Sequence, residues 1–370
     1  MPFVDLAARH SALRSEYHGV LREFMGRGQF VLGQEVERFE RSFARASGGS
    51  FCVGVDNGTN AIRLALQATG LPPEGKVFLP SLTAYPTAVA VVEAGGKPKF
   101  VDVNWETLLM DRACIEAING TPHALLPVHL YGNPADSATL AGFCKRAGIV
   151  LVEDCAQATG AMSGSIPVGT AGAAGAFSFY PTKNLGAMGD GGAIITNSSP
   201  VRRKLLSMRE YGKASGYHFT LTGINSRLDE LQAGFLTAQL SCFRDWNRQR
   251  KEKASIYMEG IDNPELHLRW NKGAVFHQFV IRVSHRRALR KKLAAAGIAT
   301  LVHYEVPCHL QPPMKPRDMP RLPNSEAAAR TVLSLPVAPE ISNDKIHYVV
   351  RVLNRLNPAF SRKDLPRELP

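Results

Sequence analysis

A lysine stands between an apolar run and a glycine-rich loop in Ala176-Phe-Ser-Phe-Tyr-Pro-Thr-Lys183-Asn-Leu-Gly-Ala-Met-Gly-Asp-Gly-Gly192. Pressed into a tight, partly desolvated site, a lysine loses proton affinity and acts as an amine nucleophile. The glycines at 186, 189, 191 and 192 permit positive φ and close approach of backbone to a ligand. Alone, the pattern is more often a surface lysine in a glycine turn. A dinucleotide-type glycine motif is a weak reading, because Gly186, Gly189 and Gly192 precede a strand instead of opening a helix. A second stretch, Val150-Leu-Val-Glu-Asp154-Cys-Ala-Gln157, ends an apolar run on carboxylates. A carboxylate at the end of a buried strand points into the cleft beyond the sheet's carboxyl edge. There it can hold a pyridine nitrogen protonated and so make the ring an electron sink. Asp154 equally suits a helix N-cap. A third stretch, Asp56-Asn-Gly58-Thr59-Asn60, opens a helix whose amide donors and dipole make a phosphate seat. Simple capping by Thr59 or Asn60 produces the same local pattern.

The elements around these stretches alternate apolar runs with amphipathic ones, as an α/β domain does. Helices are predicted over residues 11–25, 34–44, 60–69 and 85–94. Short strands are predicted over 76–79, 99–102, 124–128, 149–153, 175–179 and 192–196, and the apolar runs among them suit buried parallel strands. A helix over 228–240 continues polar and basic through residue 253. We place a division there: a large domain over 1–240 and a small C-terminal α/β domain over 241–370. In the latter, 275–283 reads as a strand, and 286–296, 325–335 and 343–356 read as helices. Residues 303–321, with five prolines, read as a loop.

The 370 residues carry a net charge of +12, with 45% hydrophobic and 21% charged residues. The basic residues are dispersed. Their short clusters, at 286–287, 290–292 and 248–253, lie on helix-like stretches without interleaved aromatics, so they read as solvated helix faces and not a nucleic-acid surface. The six cysteines form no CxxC pair, so neither zinc nor a redox motif is signalled. No metal is expected. No apolar stretch is long enough to span a bilayer, and the first residues lack a signal-peptide layout, so a cytoplasmic protein with no membrane partner is expected.

Taken together, the motifs closely resemble the DegT/DnrJ/EryC1/StrS family of sugar aminotransferases. The strongest matches are Phe177-Ser-Phe-Tyr-Pro-Thr-Lys-Asn-Leu-Gly186 with Gly189-Asp-Gly-Gly192, and Glu153-Asp-Cys-Ala-Gln157. Pro127-Val-His-Leu-Tyr-Gly132, Gly223-Ile-Asn-Ser-Arg-Leu-Asp-Glu-Leu-Gln232, His303-Tyr304 and His309-Leu-Gln-Pro312 add to them. The resemblance runs from Phe30-Val-Leu-Gly33 to the closing helices. It implies a PLP-dependent transferase of fold type I, like aspartate aminotransferase: a large mixed, mostly parallel sheet domain plus a smaller C-terminal α/β domain. It implies pyridoxal 5'-phosphate (PLP) on Lys183 as a Schiff base, with pyridoxamine phosphate as the intermediate form. Asp154 would pair with the pyridine nitrogen, Gln157 lie near the ring hydroxyl, and Tyr85 stack on the ring. Gly58, Thr59 and Ser178 would bind the phosphate. Asn225 would reach it from the neighbouring subunit of a homodimer.

The resemblance further implies amino transfer from L-glutamate to a nucleotide-linked keto sugar. Its details look most like members that aminate carbon 3 of dTDP-3-keto-6-deoxyhexoses, for lipopolysaccharide O-antigen, other surface glycans or antibiotics. Phe30, Tyr180, His303, Tyr304 and His309 are the substrate-site candidates; for Tyr180 and His309, core or loop packing competes with that role. Amination at carbon 4, or a regulatory member of the fold without turnover, are the alternatives. The chain departs from the family pattern at Phe30, where tyrosine is common, at Asn133, where glutamine is usual, and at Glu305, where proline is common, with Cys308 nearby. These departures bear on the sugar, not on the cofactor chemistry.

Overall fold

The computed structural model describes residues 1–356 except 264, 265, 267 and 315–320. The strands of its seven-stranded sheet and of the C-terminal two-stranded sheet are, in chain order, β1 (Phe51–Val55), β2 (Lys76–Pro80), β3 (Lys97–Val101), β4 (Ala124–Leu125), β5 (Val150–Asp154), β6 (Ala174–Ser178), β7 (Gly192–Thr196), β8 (Phe279–Arg282) and β9 (Val332–Leu335). The first seven form one sheet in the order β1-β7-β6-β5-β4-β2-β3. β7 runs antiparallel to β1 and β6, and the remaining pairs are parallel. β1 escapes the sequence reading: it is short, and Gly54 sits within it.

β6 and β7 are buried along their whole length because both sheet faces are covered. The helix Gly58–Ala68 covers one face, with Ile62, Leu64 and Leu66 packed among Val53, Val152 and Ile194. On the other face Phe39 and Phe43, from the helix Gln34–Ala46, meet Phe179 and Phe177 edge-on at 5.3 and 5.2 Å between centroids. Sheet and helices therefore hold the carboxyl end of β5, the end of β6 and the start of the helix Gly58–Ala68 around one cleft.

β8 and β9 pair antiparallel, from Phe279↔Leu335 to Arg282↔Val332. They share an apolar cluster with the helices Phe243–Gly260, Arg286–Ala295 and Asn343–Leu356, including Tyr257, Ile281, Leu333 and Val349. Two expectations change here. The helix expected over 325–335 is Pro323–Thr331, and Val332–Leu335 is a strand. Leu335 precedes Pro336, which disfavours helix, and four consecutive buried residues suit pairing with β8. The basic cluster at 248–253 is only partly solvated. Arg248 is exposed between Asp245 and Glu252, whereas Arg250 and Lys253 are buried. Spacings of three and four residues place Arg250, Lys253, Ala254 and Tyr257 on the inward stripe. The division drawn at 240/241 falls in the turn between the helices Glu230–Gln239 and Phe243–Gly260, and residues 357–370 lie outside the described ones. Among the described residues no helix is long and apolar enough to cross a membrane.

Candidate active site

Lys183 sits in the loop between β6 and β7, held at both ends of its backbone. Its N–H donates to the Tyr180 carbonyl at 2.8 Å, and its carbonyl accepts from Arg9 at 3.1 Å. The next residue anchors the loop: Asn184 Nδ2 donates to Asn247 Oδ1 at 2.8 Å and to the Val275 carbonyl at 3.1 Å. Of the glycines that follow, Gly186 and Gly192 are needed for space, and none of the four is in the left-handed region. A Cβ at Gly186 would lie 2.4 Å from the Pro181 carbonyl oxygen, and one at Gly192 2.5 Å from the Asn57 carbonyl. Burial pulls the Lys183 amine down to about 8, against the charge of Asp154, which favours the protonated form.

Successive side chains of β5 point to opposite faces, which separates two adjacent carboxylates. Glu153 turns to a buried network: His129 Nε2 at 3.1 Å, the Ser137 hydroxyl at 2.9 Å, and the N–H groups of Ala171 and Gly172. Asp154 turns into the cleft. Thr87 Oγ1 donates to its Oδ2 at 2.8 Å and the Ala156 N–H to its Oδ1 at 3.0 Å. Burial pushes the Asp154 carboxyl above the usual range, against these two bonds and the Lys183 charge.

Asn57 caps the helix Gly58–Ala68 by accepting from the Asn60 N–H at 2.8 Å. The N–H groups of Gly58 and Thr59, at its first two positions, have no intrahelical acceptor, and both residues line the cleft. Gly58 must be glycine: a Cβ there would sit 2.6 Å from Ser178 Cβ. One cavity of about 280 Å³ is lined by Gly58, Thr59, Asp154, Gln157, Ser178, Tyr180 and Lys183. Thr83, Thr87 and the exposed Asp190 also line it. Gln157 Oε1 accepts from the Tyr131 N–H at 2.6 Å, and its Nε2 donates to the Tyr304 hydroxyl at 2.8 Å.

A second cavity, of about 400 Å³, shares Thr83 with the first and is lined by Tyr85, Tyr304, Glu305, Arg290 and Gln311. Tyr85 thus lines the adjoining cavity, not the one that holds Lys183. Glu305 leans toward Arg290 at 3.6 Å and Arg286 at 3.9 Å. His303 lies within the field of Lys183 and 2.8 Å from the Ser334 hydroxyl; burial, then that charge, pull its imidazole down to about 4. His303 lines neither cavity, and three further candidates also stand outside both. His309 is fully buried between the Ser81 hydroxyl, at 2.5 Å, and Glu326, at 3.4 Å, which is a packing position. Phe30 is exposed and rests on Phe24, and Asn225 is exposed. The residues that sequence reasoning missed, Thr83 and Thr87, flank the start of the helix Tyr85–Glu93 and carried no signal beyond helix-start chemistry.

An amine, a buried carboxylate and an unfilled helix start in one cavity are the parts of an amino-transfer site, and residues 12–354 match the DegT/DnrJ/EryC1/StrS aminotransferase family. The chain belongs to that family. As a member it is a transaminase, and its sheet is the mixed, mostly parallel one of fold type I. It is 38% identical to the dTDP-3-amino-3,6-dideoxy-alpha-D-galactopyranose transaminase of Aneurinibacillus thermoaerophilus, over 96% of this chain and 99% of that protein. It is 39% identical to a pleiotropic regulatory protein of Geobacillus stearothermophilus, over 98% of this chain and all of that one. The crystal structure of S. venezuelae DesV in complex with a ketimine intermediate superposes with a TM-score of 0.92 at 38% identity, covering 96% of this chain and 97% of that one.

Proposed function

We propose that this family member uses pyridoxal 5'-phosphate to move an amino group from L-glutamate to the keto carbon of a dTDP-linked 3-keto-6-deoxyhexose, giving a dTDP-3-amino-3,6-dideoxyhexose. The observation that carries the reading is the cavity in which Lys183, Asp154 and the open start of the helix Gly58–Ala68 converge. The relatives' sugar chemistry supports the choice of substrate. The residues fit the cofactor. The N–H groups of Gly58 and Thr59 with the Ser178 hydroxyl suit a phosphate. Asp154, buried with a cation opposite it, suits a protonated ring nitrogen.

When bound, the cofactor supplies an electron sink that lets an amino group pass between two carbon skeletons. The chain does the rest. Asp154 holds a proton on the ring nitrogen. Gln157, fixed between the Tyr131 N–H and the Tyr304 hydroxyl, would hold the ring hydroxyl. Lys183 Nζ, with its affinity lowered, takes a proton at one carbon and returns it at another in both half-reactions. The neutral His303 and the Tyr304 hydroxyl stand at the acceptor side.

A homodimer completes the reading. Phe30, Val31 and Met188 are exposed apolar residues that a second copy would cover, and Asn225, outside the cavity of its own chain, would serve the partner's phosphate. Light scattering of the purified protein checks the dimer. The work is cytoplasmic in this reading, and the product enters a surface glycan or an antibiotic. The deciding experiment offers the protein dTDP-3-keto- and dTDP-4-keto-6-deoxyhexoses with glutamate and locates nitrogen in the product by NMR. Nitrogen only at carbon 4 sinks the regiochemistry. No turnover of either sugar by cofactor-loaded protein sinks the function.

A further inference from the structure

The Asp154 carboxylate ends a buried chain of hydroxyls. Thr87 Oγ1 lies 2.8 Å from Asp154 Oδ2, and Thr83 Oγ1 lies 3.1 Å from Thr87 Oγ1. Thr83 is 1% exposed, Thr87 2% and Asp154 3%, so solvent does not compete for these bonds. A hydroxyl has one proton to give. Thr87 gives its proton to the carboxylate, so at the 3.1 Å contact Thr83 must donate and Thr87 accept. Both protons then point toward Asp154, and hydrogen bonds in series strengthen one another in a low-dielectric interior.

The arrangement is built in from two directions. Thr83 and Thr87 are four residues apart across the start of the helix Tyr85–Glu93. The C-terminal part of the chain pins the first of them: Cys308 Sγ donates to the Thr83 carbonyl at 3.7 Å, and the Cys308 N–H to the Ser81 carbonyl at 2.8 Å. The other groups facing the carboxylate are the Ala156 N–H, Lys183, His129, the neutral Tyr304 hydroxyl, which is bonded to Gln157, and the neighbouring Cys155 thiol. His129 is committed to Glu153, and Lys183 must be free to exchange protons. Thr87 is thus the side chain that can favour the ionised carboxylate without adding charge to the cleft.

We propose that Thr87, oriented by Thr83, is a positioning residue that keeps Asp154 ionised beneath the ring nitrogen. The inference rests on the reading that this cavity takes pyridoxal phosphate. Burial alone favours the protonated carboxyl, and the hydroxyl chain opposes it.

The test uses the full-length, cofactor-loaded protein and follows the absorbance of bound pyridoxal phosphate against pH, beside steady-state rates. Thr87→Val removes the donor at similar shape, Thr87→Ser keeps it, and Thr83→Val leaves Thr87 in place but unoriented. Without the donor Asp154 takes back the proton from the ring nitrogen. The ring loses positive charge, and the nitrogen joined to Lys183 holds its own proton more tightly. The absorbance midpoint is expected to rise by about one pH unit in Thr87→Val, with kcat falling roughly tenfold, because a hydrogen bond to a charged group is worth about that factor. Thr83→Val moves the midpoint the same way by less, and Thr87→Ser leaves it in place. A midpoint that stays put in Thr87→Val with cofactor bound overturns the inference, as does a Thr87→Ser shift as large as that of Thr87→Val. Should Thr87→Val not fold, an unmoved midpoint in Thr83→Val overturns it. A parent protein that takes up no pyridoxal phosphate overturns the underlying reading and this inference together.

Discussion

In the proposed reading Lys183 works through a lowered proton affinity, and the cause of that lowering is burial. With its amine at about 8 and not at the ordinary 10.5, a useful fraction is free base near neutrality. Attachment of pyridoxal phosphate to cofactor-stripped protein is therefore expected to speed up with pH and level off above a midpoint near 8, followed by stopped-flow absorbance. A midpoint near 10 would remove burial as the activating cause. The same shift affects stability. Between 8 and 10.5 the unfolded chain holds a proton that the folded site has released. Stability of the stripped protein thus rises with pH across that window, and the contribution is lost as pH falls toward 8. Lys183→Ala removes the proposed proton carrier, and kcat should fall by on the order of 10²–10⁴. The variant should stay folded by circular dichroism, since it deletes a poorly solvated charge.

Elements set what each residue can reach. The helix Gly58–Ala68 can bring its start to the end of β6 only because Gly58 has no side chain. Gly58→Ala forces Ser178 or the helix to move, and overpacking of this kind costs about 1–3 kcal/mol. The urea midpoint should fall accordingly, and cofactor affinity, measured by fluorescence titration, should weaken further because the displaced N–H groups are the proposed phosphate donors. An unchanged affinity would place the phosphate elsewhere. Local patterning made this helix, the buried strands other than β1 and the loop around Lys183 readable in advance. It failed at β9, where Val332-Leu-Ser-Leu continues a helical stripe on paper. Pairing with β8 outweighs local propensity there. It also failed to separate Arg248 from Arg250, because which stripe of a basic helix faces inward depends on what packs against it.

At the scale of the whole molecule, Arg9 ties distant parts together. Its side chain is 2% exposed, pairs with the 6%-exposed Glu340 at 3.3 Å and donates to the Lys183 carbonyl. Glu340 also accepts from the Asp5 N–H at 2.9 Å. The first helix, Leu6–Ser11, is thereby joined to the lysine loop and to the segment before the closing helix Asn343–Leu356. Arg9→Met leaves Glu340 without its bonded cation but still in the field of Arg250 and Lys253, so the loss should fall below the cost of a fully stranded charge, about 3–5 kcal/mol. Chemical denaturation should show a lower midpoint at unchanged slope. A loss under about 1 kcal/mol would mean that solvent reaches Glu340 and screens the pair.

By itself the amino-acid sequence determined what is encoded over short stretches: a lysine before crowded glycines, a carboxylate ending a buried strand, a helix start left open for an anion, and the family these motifs share. Such features depend on backbone sterics and periodicity within a few residues. Tertiary structure decided which groups meet. Thr87 reaches Asp154 across 67 residues, and Arg9 reaches Lys183 across 174. It also moved His309 out of the site and into packing between Ser81 and Glu326. Contacts of that range follow from how the sheet stacks its strands and where the C-terminal segments fold back. No local pattern carries that information, because the free energy that selects these contacts is the burial of the whole core.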